Sequence, residues 1–178
     1  MEYVEVVVDH DLEGVTPEMI DWWWYNLDPE RYKLWHPKDH KSFRWEAHPR
    51  FGHEQAIHVA EEDIGEATMT LRIRWEDPKK VPIPITMPHA IAASIIGEDG
   101  EPMAWLVHQY ERTPKGTRMR STFRLPPIVP EEFAKNLYKH CREEMGNLPR
   151  LLPELYRKET EKTNSSFWVQ RDRFISIG

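Results

Sequence analysis

Residues 3–8 are rich in β-branched side chains and fit a first strand. Behind them, Thr16-Pro17-Glu18 supplies an N-cap, a proline at the first helical position and an early acid. Ile20, Trp23, Trp24 and Leu27 then recur at i, i+3, i+4 and i+7, so the short helix they form buries an aromatic face. Asp28-Pro29 is expected to end it, and residues 30–40 read as a turn-like segment crowded with aromatic rings and histidines.

Strand patterns follow. Residues 55–62 alternate in part, and 67–75 do so clearly, with Met69, Leu71, Ile73 and Trp75 on one face and Thr70, Arg72 and Arg74 on the other. Residues 90–96, 103–111 and 117–125 predict three more strands, separated by Glu98-Asp99-Gly100 and Pro114-Lys115-Gly116. In the last, Met119, Ser121, Phe123 and Leu125 alternate with Arg118, Arg120, Thr122 and Arg124. Four prolines at 78, 82, 84 and 88 make the intervening stretch a loop or an edge, and it is expected to act as a mobile lid over a pocket. After Pro126-Pro127 and Pro130 a long helix opens, which Gly146 and Pro149 are expected to bend or break before it continues through 151–158; residues 162–178 predict nothing. Strand, helix, antiparallel strands and long helix make an α+β protein, a curved antiparallel sheet wrapped around the C-terminal helix with a cavity between them.

The apolar stripe of that last helix contains a contradiction. Phe133, Leu137, His140, Glu144 and Leu148 share one face, so an imidazole and a carboxylate point where core residues belong. Burying them costs free energy unless they are satisfied. Four residues apart they stand one above the other and can grip one divalent ion, or they can simply hydrogen-bond. Further ligands would have to come from elsewhere: His36 and His40 in the aromatic loop, and Glu61 or Glu62 in the strand after it, of which only one enters the cavity because strand neighbours face opposite ways. Two histidines and two glutamates suit zinc, with manganese or iron also compatible.

Composition narrows the class. At 178 residues, with 39% hydrophobic and 30% charged side chains, the chain has the length and make-up of one soluble domain, 1–178. Eight tryptophans suit either a large core or an enclosed aromatic ligand. A net charge of −6 argues against nucleic acid as a partner. The single Cys141, the acidic N-terminal segment and the lack of an apolar run of membrane-spanning length lead to the expectation of a cytoplasmic protein without a signal segment or membrane partner.

Several segments carry a family resemblance. Trp22-Trp23-Trp24 is followed by Arg31-Tyr32-Lys33-Leu34-Trp35-His36-Pro37-Lys38-Asp39-His40, then by His58-Val59-Ala60-Glu61-Glu62-Asp63-Ile64-Gly65 and Arg120-Ser121-Thr122-Phe123. The series ends in His140, Glu144 and the run Asn147-Leu148-Pro149-Arg150-Leu151-Leu152-Pro153-Glu154-Leu155-Tyr156. In this order, over about residues 19–157, the segments resemble the 2,4-diacetylphloroglucinol hydrolase and phloretin hydrolase family. The resemblance implies a helix-grip (Bet v 1-like) domain that holds Zn2+ and hydrolyses the carbon–carbon bond between an acyl group and a phenolic ring. Carried over by motif, it implies His40, Glu62, His140 and Glu144 as metal ligands, with Tyr32 and His108 as the residues that meet substrate.

Two departures stand beside it. The sequence reads as a shorter version of the family pattern, expected to do without the N-terminal extension that the resemblance links to assembly and with less length between the last strands and the C-terminal helix, and a second substrate-contacting tyrosine, expected soon after Phe123, is replaced by Arg124-Leu125-Pro126-Pro127. The expected partner is a small aromatic or polyketide-like molecule, and a homodimer is compatible with the resemblance. Two rival readings keep the fold: a carrier that binds an aromatic ligand without turnover, and a metal-free cyclase or dehydratase with His108 and a carboxylate as acid and base.

Overall fold

The computed structural model describes residues 3–175, with side chains through 163. β1 (Val4–Glu13) turns its Val6, Val8, His10 and Leu12 inward and its acids outward. The chain then crosses to the far edge of the sheet through two short helices, α1 (Pro17–Tyr25) and α2 (Pro29–Trp35). Thr16 caps α1, its hydroxyl accepting from the Met19 amide at 3.3 Å. Asp28-Pro29 does not merely stop α1; it starts α2, with the Asp28 carboxylate accepting from the Arg31 amide at 2.7 Å. The turn-like reading of residues 30–40 is thus corrected over its first half.

Six further strands run β2 (His40–Ala47), β3 (Ile57–Ile64), β4 (Ala67–Glu76), β5 (His89–Ile96), β6 (Pro102–Thr113) and β7 (Gly116–Leu125). All pair antiparallel in the order β1-β7-β6-β5-β4-β3-β2. β2 had no counterpart in the sequence pattern. Its register shifts between His40 and Ser42 and again between Trp45 and Ala47, which breaks the two-residue alternation by which a strand is recognised.

α3 (Glu131–Ile175) lies across the inner face of the sheet, burying Leu137, Cys141, Met145, Leu148 and Leu152. This is the expected helix gripped by a curved antiparallel sheet. α3 runs unbroken through Gly146, Pro149 and Pro153, so of the expected bend or break the break does not occur. Met145, Leu148 and Leu152 are fully buried on both sides of Pro149 and up to Pro153, and burial at ~1.5–3 kcal/mol per large side chain offsets the hydrogen bonds that the prolines remove. The close approach of α3 to the β3–β4 hairpin needs Gly65, at φ +67°, where a Cβ would fall 2.3 Å from the Asn136 side chain. Beyond 162, a segment that predicted nothing, the helix continues to Ile175.

The proline-rich segment between β4 and β5 is not a lid. Ile83 is buried against Ala92 and Val107, which belong to the outer face of the sheet, away from α3. The Gln109 side chain pins it there, accepting from the Thr86 amide at 2.8 Å and the Met87 amide at 3.2 Å, and donating to the Pro84 carbonyl at 3.1 Å. No helix among the described residues is long and apolar enough to cross a membrane.

Candidate metal centre

Between the sheet and α3 lies a cavity of ≈ 120 Å³. Trp24, Trp35, Trp75 and the inward rows of β4 to β7 line most of it, with His58 of β3 among them, and Tyr32, Glu62, His108 and Glu144 gather at one end. Each of these comes from a different element, so only the folded chain assembles them.

The turn between α2 and β2 brings in His40. Its amide donates to the His36 carbonyl at 2.9 Å, and the Asp39 carbonyl accepts from the Asp63 amide at 2.9 Å, which fixes the turn to β3. Across the β2–β3 ladder, His40 is registered with Glu62. Glu62, and not its neighbour Glu61, lines the cavity. α3 supplies His140 and Glu144 one turn apart, held against α2 by Trp35 Nε1 donating to the Glu144 carbonyl at 2.8 Å and by Asn147 Nδ2 donating to the Trp35 carbonyl at 2.9 Å.

The four side chains converge. His40 Nε2 stands 3.4 Å from Glu144 Oε2 and 3.7 Å from Glu62 Oε2, and His140 Nε2 lies 3.8 Å from each of the same oxygens. Ligand bonds of about 2.0–2.1 Å in a tetrahedral site place ligand atoms about 3.4 Å apart, so these separations fit around one ion. Both Nε2 atoms are buried and have no hydrogen-bond partner. Both Nδ1 atoms have one: His40 Nδ1 donates to the Tyr32 carbonyl at 2.7 Å, and His140 Nδ1 donates to Asp39 Oδ2 at 3.3 Å. With its Nδ1 proton engaged, each imidazole presents the Nε2 lone pair to the centre, the tautomer a metal requires. The residues present therefore fit a zinc-like ion.

Within the cluster, imidazoles and carboxylates oppose the cost of each other's burial. Burial alone would lower the His140 pKa, but the carboxylates of Glu144, Glu62 and Asp39 outweigh it and raise it. Burial would likewise raise that of Glu144, and the imidazoles of His40, His140 and His108 around it bring it below the ordinary value.

Tyr32 and His108 flank the centre differently. Tyr32 stacks on His40, with ring centroids 3.9 Å apart, and its hydroxyl donates to Glu62 Oε2 at 2.5 Å. Burial and the Glu62 carboxylate push its pKa far above the usual tyrosine range, so it stays a donor. His108 stacks on Trp24 at 5.3 Å, and burial lowers its pKa to about 4, which keeps it neutral at pH 7. Ser121 Oγ lies 2.7 Å from His108 Nδ1 and 3.3 Å from His10 Nε2, forming a buried chain of three residues.

His36 stays outside. Its Nδ1 accepts from the Asp39 amide at 3.2 Å, so Nε2 carries the proton and points it at Glu143 Oε2, 3.2 Å away, and at Asp39 Oδ2, 3.4 Å away. Asp39, Ser121 and His10 are site neighbours that the sequence reading did not single out. The signal for the last two was available, since each is a polar side chain on the inward, otherwise apolar row of its strand.

Known proteins carry related sequences and the same fold. A family profile described as "DAPG hydrolase PhiG domain" matches residues 3–129. Phloretin hydrolase from Eubacterium ramulus is 26% identical over 193 aligned positions, covering 84% of this chain. The chain spans 66% of the length of that curated relative. Among solved structures, KanY superposes with a TM-score of 0.63 at 9% identity, over 85% of this chain and 99% of its own. A START superfamily protein from Mycobacterium smegmatis gives 0.60 at 13% identity, over 86% of this chain and 98% of its own. At such identities the likeness to these two structures is one of fold.

Proposed function

Because the chain belongs to the DAPG hydrolase PhiG-domain family, we propose that it is a metal-dependent hydrolase cleaving the carbon–carbon bond between an acyl group and a phenolic, phloroglucinol-like ring. The observation that carries this reading is the pair of buried, partnerless Nε2 atoms of His40 and His140, set 3.4–3.8 Å from the carboxylates of Glu62 and Glu144 at the polar end of an apolar cavity. A zinc ion held by those four residues would supply Lewis acidity, polarising the acyl oxygen and acidifying a water molecule.

The remaining chemistry belongs to the chain. In the overall reaction the acyl–ring bond breaks, water gives its hydroxyl to the acyl carbon and its hydrogen to the ring carbon, and the products are a carboxylic acid and a deacylated phenol. The electron pair of the broken bond passes into the ring and collects on the phenolic oxygens. His108 lines the cavity and is assigned to meet it: in the tautomer in which Ser121 donates to Nδ1, the neutral ring carries its proton on Nε2 and offers it to a phenolic oxygen. Tyr32 lines the cavity where the motif implies a substrate contact, and it has a second task. Its hydroxyl is committed to Glu62 and its ring to His40, so it holds two of the four converging side chains in place. The tryptophans exclude water and offer flat surfaces to an aromatic ring.

The test is product release. Zinc-supplemented protein should convert monoacetylphloroglucinol to phloroglucinol and acetate, and Glu144→Gln should abolish this. The apolar lining also suits an aromatic-ligand carrier, which would bind the same compound and release no product. Binding without turnover at any zinc concentration would decide for the carrier.

A further inference from the structure

The cavity has two unlike ends. At the Glu144 end stand Tyr32, Glu62 and His108; towards the start of α3 the lining is Leu71, Ile95, Leu125, Phe133 and Leu137. Eleven residues of α3 separate Phe133 from Glu144, about 16 Å of helix, so the passage is much longer than an acetyl group needs. Its volume of ≈ 120 Å³ is nonetheless close to the ~150 Å³ of an engineered apolar cavity that admits one benzene ring. There is room for a ring beside the polar groups, and little for a long substituent within the enclosed part.

The passage does not stop at Phe133. Met69, Leu71, Ile95, Leu125 and Phe133 line both the cavity and a groove open to solvent, which continues over Ile96, Met103, Ala104 and Val129. Met103 is 56% exposed, and Ile128, next to the groove in the β7–α3 connection, is 88% exposed. Arg72 and Glu98 are the charged side chains in the groove lining, and Arg72 is already engaged by Glu46 at 2.9 Å. Leu125-Pro126, in the stretch where the sequence resemblance leads one to expect a polar tyrosine, also lines this groove. An apolar channel leading from a polar centre to an apolar surface groove matches a molecule with one polar head and one extended apolar arm.

We propose that this groove is the subsite for the apolar arm of the substrate, and that the preferred substrates are phenols bearing a medium-length or long alkanoyl chain in place of acetyl. The assignment rests on the hydrolase reading for the identity of the head group. The arm subsite itself is argued from the continuity of cavity and groove. Each methylene taken from water into such a channel should tighten binding about fourfold until the chain clears the groove.

The experiment uses a series of 2-alkanoylphloroglucinols from acetyl to octanoyl. Binding to the chelator-treated full chain is followed by quenching of the cavity tryptophans, and release of phloroglucinol from the zinc-supplemented chain is measured in parallel. The expected result is an affinity that climbs with chain length, together with a loss on the order of tenfold in octanoyl affinity when Met103→Glu places a charge in the groove. Met103 is largely exposed, so this variant does not burden folding. Affinity that stays flat from acetyl to octanoyl overturns the subsite, whatever happens to product release. A climbing affinity with no phloroglucinol released from any member supports the arm subsite while removing the hydrolase reading.

Discussion

Two clusters of histidine and carboxylate lie side by side and share His140, yet their chemistry is opposite. In each, three ligating atoms fall within 4.8 Å of one another: His40, Glu62 and His140 in one, His36, Asp39 and His140 in the other. In the first, His40 and His140 hold their protons on Nδ1 through the Tyr32 carbonyl and Asp39, and their Nε2 lone pairs are buried without partners. In the second, the His36 lone pair is spent on the Asp39 amide, and its proton faces Glu143 and Asp39. Proximity of ligand types therefore does not distinguish a metal centre from a hydrogen-bonded brace. The tautomer set by the far nitrogen does.

His58 sharpens the contrast from a third side. Its Nδ1 is also buried and partnerless, but the ring packs between Phe43 and Trp45, at 5.1 and 5.4 Å, with no carboxylate facing it in an ion pair. Burial lowers its pKa to about 3. An orphan nitrogen without anionic partners marks a neutral imidazole, here in the cavity wall.

The largest expected effect comes from breaking the first cluster. His140→Ala or Glu144→Gln should weaken zinc binding by more than the ~10–100-fold typical of losing an outer partner, as read by competition with a chromophoric chelator. Unchanged zinc affinity in both would dissolve the distinction between the clusters. Next comes the residue that joins them. Asp39→Asn removes the anionic acceptor of the His140 Nδ1 proton and should cost about 10–100-fold in zinc affinity while leaving the stoichiometry at saturation intact.

His58 should act on stability and not on zinc. The unfolded chain binds a proton near pH 6.5 that the folded chain refuses until about pH 3, so the contribution of this group to stability is full above pH 6.5 and is lost as pH falls towards 3. The slope is at most about 1.4 kcal/mol per pH unit. His58→Leu should flatten that part of the pH dependence in urea titrations; an unaltered slope would mean that the ring is solvated in the fold. The smallest effect is assigned to the brace. His36→Gln should change zinc affinity by about twofold at most, because its contacts do not reach the lone pairs of the centre.

The sequence was most informative where periodicity was regular. The inward rows of β4 and β7 and the α3 stripe could be read directly, because each strand or helix there keeps its period from end to end. His140 and Glu144 stood out for the same reason, as polar residues interrupting an apolar stripe. Legibility failed where local signals were ambiguous or where tertiary packing prevailed. Asp28-Pro29-Glu30 repeats the starting signals of Thr16-Pro17-Glu18, yet one read as a stop and the other as a start. Pro149 and Pro153 would end an isolated helix, and only the buried neighbours Met145, Leu148 and Leu152 carry α3 through them. Glu61 and Glu62 could be told apart only by the register that pairs Glu62 with His40 across a bulged ladder. The proline-rich stretch suggested a lid because nothing in its own residues shows which face of the sheet Gln109 would hold it against.

If one ion sits among His40, Glu62, His140 and Glu144, anomalous diffraction at the zinc edge, from crystals grown with about one equivalent of zinc, should locate it there. The expected result is a single anomalous peak about 2.0–2.1 Å from the Nε2 atoms of both His40 and His140. A peak seated between His36, Asp39 and Glu143, or no peak within the cavity, would contradict it.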